Sequence, residues 1–342
     1  MPIPNPHFDE SKVVWRDEYS GRYAPPPAGY HEQFDLEWKL ALEGRPGYFD
    51  TPGANTDDPY IDDRIYEWTG KHPRGLTGFA DGSGAVRKLD VTVDPALISG
   101  KKAIDIGCGL GRWTRAIQRL GAASVLSIDM SDSALRSVAR FNPHVARVNI
   151  MEIPQTRPEW VGAFDFANFW GVAMCTHDPL QAFLSAASTV KPGGAMYLFV
   201  YGPEGMHALP LTNCQRRHFH RLSSVEERLR YVDRVYERRW QAGIPLRDNL
   251  KNVVRNLLGR PKSSKHDVLD SLQPFYNWVI PFDVIEGWAK KGGFASYTLL
   301  NSGEAPRCGF HVLLRKAPRE APTRDSSASS SAVTRTTVVG ID

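Results

Sequence analysis

The chain has 342 residues, 42 Lys and Arg against 38 Asp and Glu, a formal net charge of +4 and 42% hydrophobic residues, enough to fill one large α/β core with additions or two small domains. No basic-then-apolar leader follows Met1 and the longest apolar runs are strand length, so the sequence reads as a cytoplasmic protein with no membrane partner. Cys108, Cys175, Cys214 and Cys308 are widely separated, which indicates neither a zinc site of paired spacing nor a disulfide framework.

Residues 1–100 read as an N-terminal arm followed by helices. Pro2, Pro4, Pro6 and Pro25 to Pro27 predict an extended arm over 1–30. Phe34, Trp38, Ala41 and Leu42 recur at helical spacing ahead of Gly44, and Ile61, Ile65 and Trp68 form a second stripe between Asp58-Pro59 and Gly70. The other faces of these two helices carry Glu32, Asp35, Glu37, Asp57, Asp58, Asp62, Asp63 and Glu67, expected as a solvated acidic surface.

Over 101–202 the pattern alternates between strand and helix with short connections, which requires a parallel sheet covered on both faces. Strands are predicted near 102–107, 124–129, 146–151, 164–170 and 194–201, with helices near 113–120, 132–141 and 178–190. Lys191-Pro192-Gly193-Gly194 is expected to end the last of these helices.

The first strand runs into Asp105-x-Gly107-x-Gly109-x-Gly111, where glycine allows positive φ and close approach of a ligand to the amides of the following helix. A dinucleotide fingerprint would need glycine at the sixth position, occupied here by Arg112. A carboxylate at Asp105 would also oppose a pyrophosphate and suits an ammonium group. The motif resembles the first motif of class I S-adenosylmethionine-dependent methyltransferases, in which the acidic residue and glycine loop contact the methionine part of the cofactor. Eighteen residues after Gly111, the run Val125 to Asp129 ends a strand in a carboxylate, with Ser131 placed to cap the next helix. Asp129 would accept both ribose hydroxyls, at roughly 1.5–3 kcal/mol each; its bland alternative is a second helix cap. The resemblance further implies that Asn149 stands where an Asp usually meets the adenine amino group, with Ile150 beside it. Met130 and Trp170 complete the expected cofactor site.

The fourth strand ends at Asn168-Phe169-Trp170-Gly171 and runs on to Met174-Cys175-Thr176-His177-Asp178-Pro179. The segment is similar to the ubiquinone-biosynthesis-like branch of the family, with Met174 and Cys175 at positions that are commonly histidine there. His177, His207 and Tyr276 are the candidate catalytic residues, with His218 and His220 as further bases. For His177 the competing reading is a local hydrogen-bonding residue at a helix start. Tyr276, Asn277 and Trp278 either line the acceptor pocket or form a packed hinge.

Residues 203–281 interrupt the sheet as a helical cap carrying two stripes, Val225, Leu229, Val232 and Tyr236, then Leu250, Val253, Val254, Leu257 and Leu258. Between Cys214 and Lys265 there are 14 Lys and Arg against 5 Asp and Glu. The core resumes over 282–316 with a helix at 283–291 and strands at 295–301 and 309–315, and 317–342 is too poor in apolar residues to bury a core.

The resemblance covers about 100–202 and 275–316. It implies a Rossmann-like seven-stranded sheet with the last strand antiparallel, helices on both faces, an N-terminal helical extension and the cap inserted after strand 5. The implied activity is in-line methyl transfer from S-adenosylmethionine, without a metal, to O, N or C of a small organic acceptor. The acceptor is anionic if Arg216 and Arg217 recognise it. The cap and N-terminal helices would close over it from opposite sides, in a monomer or homodimer. Alternatives are a non-catalytic S-adenosylmethionine-binding scaffold, or an RNA or protein methyltransferase using the basic cap. A nucleic-acid substrate is disfavoured, because the fourth strand lacks Asp/Asn-Pro-Pro-Tyr/Phe and no aromatic and basic track is evident.

Overall fold

Seven strands form one sheet in the order β3-β2-β1-β4-β5-β7-β6. The computed structural model describes residues 30–31, 33–48, 58–73, 88–204, 210–241, 244–258, 264–304 and 308–319. The predicted arm over 1–29, His207 and the tail from 320 lie outside the described residues. The strands are β1 (Lys102–Ile106), β2 (Ser124–Asp129), β3 (Val145–Arg147), β4 (Phe164–Trp170), β5 (Val190–Tyr201), β6 (Ser296–Leu299) and β7 (Gly309–Arg315). Pairing is parallel among β1 to β5, and β7 runs antiparallel to both β5 and β6. The chain thus leaves β1 toward β2 on one side and returns to β4 on the other, opening a crevice at the carboxyl ends of these strands.

Ala103, Ile104, Asp105 and Ile106 of β1 are all buried, as expected for a central parallel strand covered on both faces. The N-terminal helices α1 (Asp35–Glu43) and α2 (Asp58–Thr69) precede the sheet, and α3 (Arg112–Arg119), α4 (Asp132–Val138), the short α5 (Ile153–Thr156) and α6 (Pro179–Ser188) connect its parallel strands. On one face α2 and α3 meet the sheet, with Trp68 stacked on Trp113 at 4.3 Å between ring centroids and set edge-on to Phe166 and Tyr197. The second N-terminal helix is therefore a layer of the core rather than an appendage to it. The opposite face is closed by α6 and by α11 (Phe282–Lys291), through Phe183, Ile285 and Trp288.

The insertion after β5 contains α7 (Pro210–Arg221), α8 (Val225–Tyr236), α9 (Leu246–Leu257) and α10 (Lys265–Leu272). Leu40 and Ala41 of α1 share a core with Phe219, Tyr231, Val232, Val268, Leu269 and Leu272, which fixes α7, α8 and α10 against the N-terminal helix. The first predicted stripe packs there through Val232, with Leu229 and Tyr236 partly buried against it, although Val225 stays exposed. The second does not pack: Leu250, Val253, Val254, Leu257 and Leu258 are exposed.

Several expectations are corrected. The third strand ends at Arg147, because the Asn149 side chain accepts the Met151 N–H and turns 150–152 into a 3₁₀ segment. Lys191 to Gly194 do not cap a helix. α6 ends at Ser188 with Thr189 as its cap, and the four residues lie within β5 at a register shift between the pairs Phe164–Val190 and Phe166–Ala195. The acidic faces of the N-terminal helices are not solvated throughout: Glu37, Asp62, Asp63 and Glu67 are buried. Their burial is matched by partners, Gln273 on Glu37 at 2.7 Å, Arg119 on Asp62 at 2.5 Å and Arg64 on Glu67 at 2.8 Å, since a buried carboxylate without one is costly.

Candidate active site

A cavity of about 540 Å³ opens at the carboxyl ends of the parallel strands, within the range of small-molecule sites. Its floor is the glycine turn Gly107 to Leu110 with Asp129, Met130 and Ser131. Its walls come from Tyr30, Phe34, Glu37 and Trp38, from Tyr48 and Tyr60, from Trp170 to Val172, and from His266, Asp267, Asp270 and Pro274 of the insertion. Among the four insertion helices, α10 supplies the cavity lining, while α7 and α8 support it from behind.

The turn is set by backbone geometry. Gly107 has φ 72° and an added Cβ would stand 2.4 Å from Val172 Cγ2; Gly111 has φ 92°, where a Cβ would meet Phe141 Cζ at 2.6 Å. Neither site admits a side chain. At the tip of β2, Asp129 Oδ2 accepts the Gly109 N–H and Oδ1 the Ser131 N–H, both at 2.9 Å. Each carboxylate oxygen is oriented by one backbone donor and keeps a lone pair for a ligand hydroxyl. Burial raises the Asp129 carboxyl, opposed by the amides of Ser131, Gly109 and Met130. The helix cap is a separate residue, Ser131, whose Oγ accepts the Ala134 N–H.

Of the expected cofactor residues, Gly107, Gly109, Asp129, Met130, Asn149, Ile150 and Trp170 line this cavity. Asp105 and Gly111 do not. The Asp105 carboxylate is buried beneath the turn, accepting from Thr114 Oγ1 at 2.6 Å and Asn168 Nδ2 at 2.7 Å, so it ties β1 to α3 and β4. Asn149 spends its amide on Glu152 at 2.8 Å and its carbonyl oxygen on the Met151 N–H at 3.2 Å. Trp170 stacks on Phe199 at 4.8 Å, and its Nε1 has no hydrogen-bond partner among the described residues.

The sequence-derived catalytic candidates are not brought together at the cavity. Tyr276 is buried, its ring 5.5 Å from His177 and 5.7 Å from Tyr30, and neither Tyr276 nor His177 lines the site. The His177 backbone N–H donates to Tyr30 Oη at 2.7 Å, a contact that does not involve the imidazole. Tyr276, Asn277 and Trp278 form the packed hinge, where Met174 O takes the Trp278 N–H and Thr176 O its Nε1–H. His207 is outside the described residues. His220 stacks on Phe275 at 4.1 Å, and burial pushes its pKa down to about 4; His218 lies against Tyr231. Arg216, expected to meet an anionic acceptor, is fully buried elsewhere. Its Nε donates to Ser271 O at 2.7 Å, and both terminal nitrogens reach the Asn277 carboxamide oxygen in the orientation that satisfies that side chain. The side chain of Arg217 is outside the described residues.

Four cavity groups were missed. Arg112 sits at the start of α3, donates to Tyr60 Oη at 3.1 Å and places its guanidinium 4.2 Å from the centre of the Trp170 ring. Burial opposes its charge, and Tyr60, Asp270 and Glu67 outweigh that. Glu37 Oε1 stands 3.2 Å from His266 Nδ1, without the alignment of a hydrogen bond. Burial and then Asp270 push the Glu37 carboxyl well above its ordinary value. Burial lowers the His266 pKa, against the pull of Asp270 and Asp267. Burial also raises the Asp270 carboxyl. Arg112 stood in plain view as the residue that breaks the dinucleotide pattern. Glu37, His266 and Asp270 carried no spacing signal, because they meet only when α1 and α10 pack.

The sequence model of the methyltransferase domain family matches residues 85–236. A ubiquinone biosynthesis O-methyltransferase of Xanthomonas campestris pv. campestris is 30% identical over 115 residues, 32% of this chain and 47% of that protein. Its namesake in Marinobacter nauticus is 28% identical over 164 residues, 42% of this chain and 68% of that one. The chain thus spans about half the length of the first of these relatives. An S-adenosylmethionine-dependent methyltransferase from Mesorhizobium loti superposes over 65% of this chain and 96% of its own, with a TM-score of 0.40 and 18% identity.

Proposed function

We propose that this chain, which is similar to the class I S-adenosylmethionine-dependent methyltransferases over its sheet and glycine turn, methylates an oxygen or nitrogen of a small acceptor bound between α1 and α10. When bound, S-adenosylmethionine supplies a methyl group activated on a sulfonium. The donor set of the cavity fits that cofactor. Asp129 offers two oriented oxygens to the ribose hydroxyls, Ile150 and Met130 offer apolar contact beside it, and Trp170 flanks the turn.

The observation that carries the acceptor reading is the pair Glu37 and His266. Burial keeps the imidazole neutral near pH 7, the form able to take a proton. As an acceptor O–H or N–H attacks the methyl carbon, its proton passes to His266, and the resulting imidazolium is stabilised by Asp270 and Asp267. General-base assistance of this kind contributes on the order of 10²–10⁴ in rate. Among the described lining residues the acceptor side carries three carboxyl groups, Glu37, Asp267 and Asp270, beside the guanidinium of Arg112, a lining that suits a neutral or weakly basic acceptor better than an anionic one. Closure by α10 and α1 would exclude water and hold the acceptor in line.

The test is incubation of the purified protein with methyl-labelled S-adenosylmethionine and a metabolite extract. A labelled small product is expected. Label found only in added RNA or protein would reject the small-molecule reading, and no labelled product of any class would favour the non-catalytic alternative.

A further inference from the structure

The polarity of α9 is inverted. Its buried residues are Asn249 and Asn252, and Asn249 fastens the helix by accepting the Gln241 N–H at 2.8 Å and donating to Gln241 O at 3.0 Å. Gln241 is held in turn by Gln215 of α7 at 2.7 Å. The helix is therefore docked on the insertion by its amides, and its apolar side faces outward.

At 3.6 residues per turn, Leu246, Leu250, Val253, Val254 and Leu257 fall in one arc. Leu246 is 62% exposed, Leu250 54% and Leu257 81%. Arg247, Lys251 and Arg255 occupy the adjoining arc and are exposed as well. Asp248 is the one acid of the helix, 3.9 Å from both Arg247 and Lys251. Trp240, six residues before α9 in the sequence, is 56% exposed.

We propose that α9 is a docking helix for an anionic lipid surface, lying in the interface plane with its leucines and valines inserted and its basic arc on the headgroups. Both requirements of such a helix are met, an apolar arc and a cationic arc beside it, on one exposed side. A tryptophan near the helix entrance fits the same boundary. Charge complementarity selects this occupant. The segment from Cys214 to Lys265 carries 14 Lys and Arg against 5 Asp and Glu, whereas an antiparallel pairing of two copies through α9 would set one basic arc against the other. Among the described residues no helix is long and apolar enough to cross a membrane, so the association is peripheral. It does not depend on how the cavity is read.

The experiment is sedimentation of the full chain with phosphatidylcholine vesicles and with vesicles containing about one third phosphatidylglycerol. Binding is expected to the anionic vesicles and to weaken with salt. Arg247→Ala, Lys251→Ala and Arg255→Ala together should reduce it about a hundredfold. Leu250→Glu with Leu257→Glu should abolish it. Both side chains of that pair are exposed, so its circular dichroism and Tm should stay unchanged. No binding to either vesicle, or equal binding by the Leu250→Glu, Leu257→Glu variant, would overturn the proposal. So would a doubled mass in light scattering that this variant alone removes, which would assign the face to a second copy.

Discussion

Glu37 of the N-terminal helix and His266 of the insertion stand 3.2 Å apart in the wall of the cavity, although 229 positions separate them in the sequence. Gln273 donates to the same carboxylate at 2.7 Å, and its own carbonyl oxygen accepts the Glu37 N–H at 3.2 Å. The pair is thus fixed from α10 and α1 together. His266→Ala should lower kcat on the labelled acceptor by about 10²–10⁴ while leaving S-adenosylhomocysteine affinity unchanged. Burial lowers the His266 pKa, so the wild-type kcat/KM should rise with pH through a value below 6.5 and then level. That limb should vanish in the variant; its persistence would assign the base elsewhere.

Arg216 is a pillar of the insertion rather than a ligand of the acceptor. It gives hydrogen bonds to Ser271 O and Asn277, joining α7 to α10 and to the hinge before α11. Arg216→Met should leave two buried acceptors unsatisfied, at about 1–3 kcal/mol each, and lower Tm. A salt-dependent rise in acceptor KM with unchanged Tm would show that Arg216 does meet the acceptor.

His311 on β7 supplies a pH dependence of stability. Its Nδ1 lies 2.6 Å from Tyr197 Oη and its ring 4.5 Å from Phe199, and burial lowers its pKa to about 3. The unfolded chain takes up this proton near pH 6.5 and the folded chain only near 3, so ν of the unfolded state exceeds that of the native state between these values. Stability therefore falls as pH drops from 6.5 toward 3, by on the order of 1.4 kcal/mol per unit at most from this group. Thermal melts of wild type and His311→Asn across that window should converge as pH falls. Parallel curves would contradict a buried neutral histidine.

The core was legible where chemistry repeats locally. Asp105 to Gly111, the strand ending at Asp129 and the alternation from Lys102 to Tyr201 placed the sheet and the turn that floors the cavity, because strand period and glycine turns are written in neighbouring residues. Reading failed where burial is decided at long range. Glu37 and Glu67 looked like a solvated face, yet both are buried, Glu37 against Gln273 and Glu67 beside Arg64 of its own helix. Asp105 looked like a cofactor ligand, but Thr114 and Asn168 reach it first. The apolar stripe of α9, read as one of the two stripes of the cap, faces outward, while Asn249 and Asn252 are buried in its place.

Calorimetric titration of the purified chain with S-adenosylhomocysteine tests the central claim most directly. The Asp129 carboxylate is held by Gly109 and Ser131 and opens on the cavity. A single site is predicted, and Asp129→Ala should weaken it by about 3–6 kcal/mol if both ribose hydroxyls bond to the charged acceptor, with little change for His266→Ala. Binding of NAD in place of S-adenosylhomocysteine, or undiminished affinity in Asp129→Ala, would contradict the account.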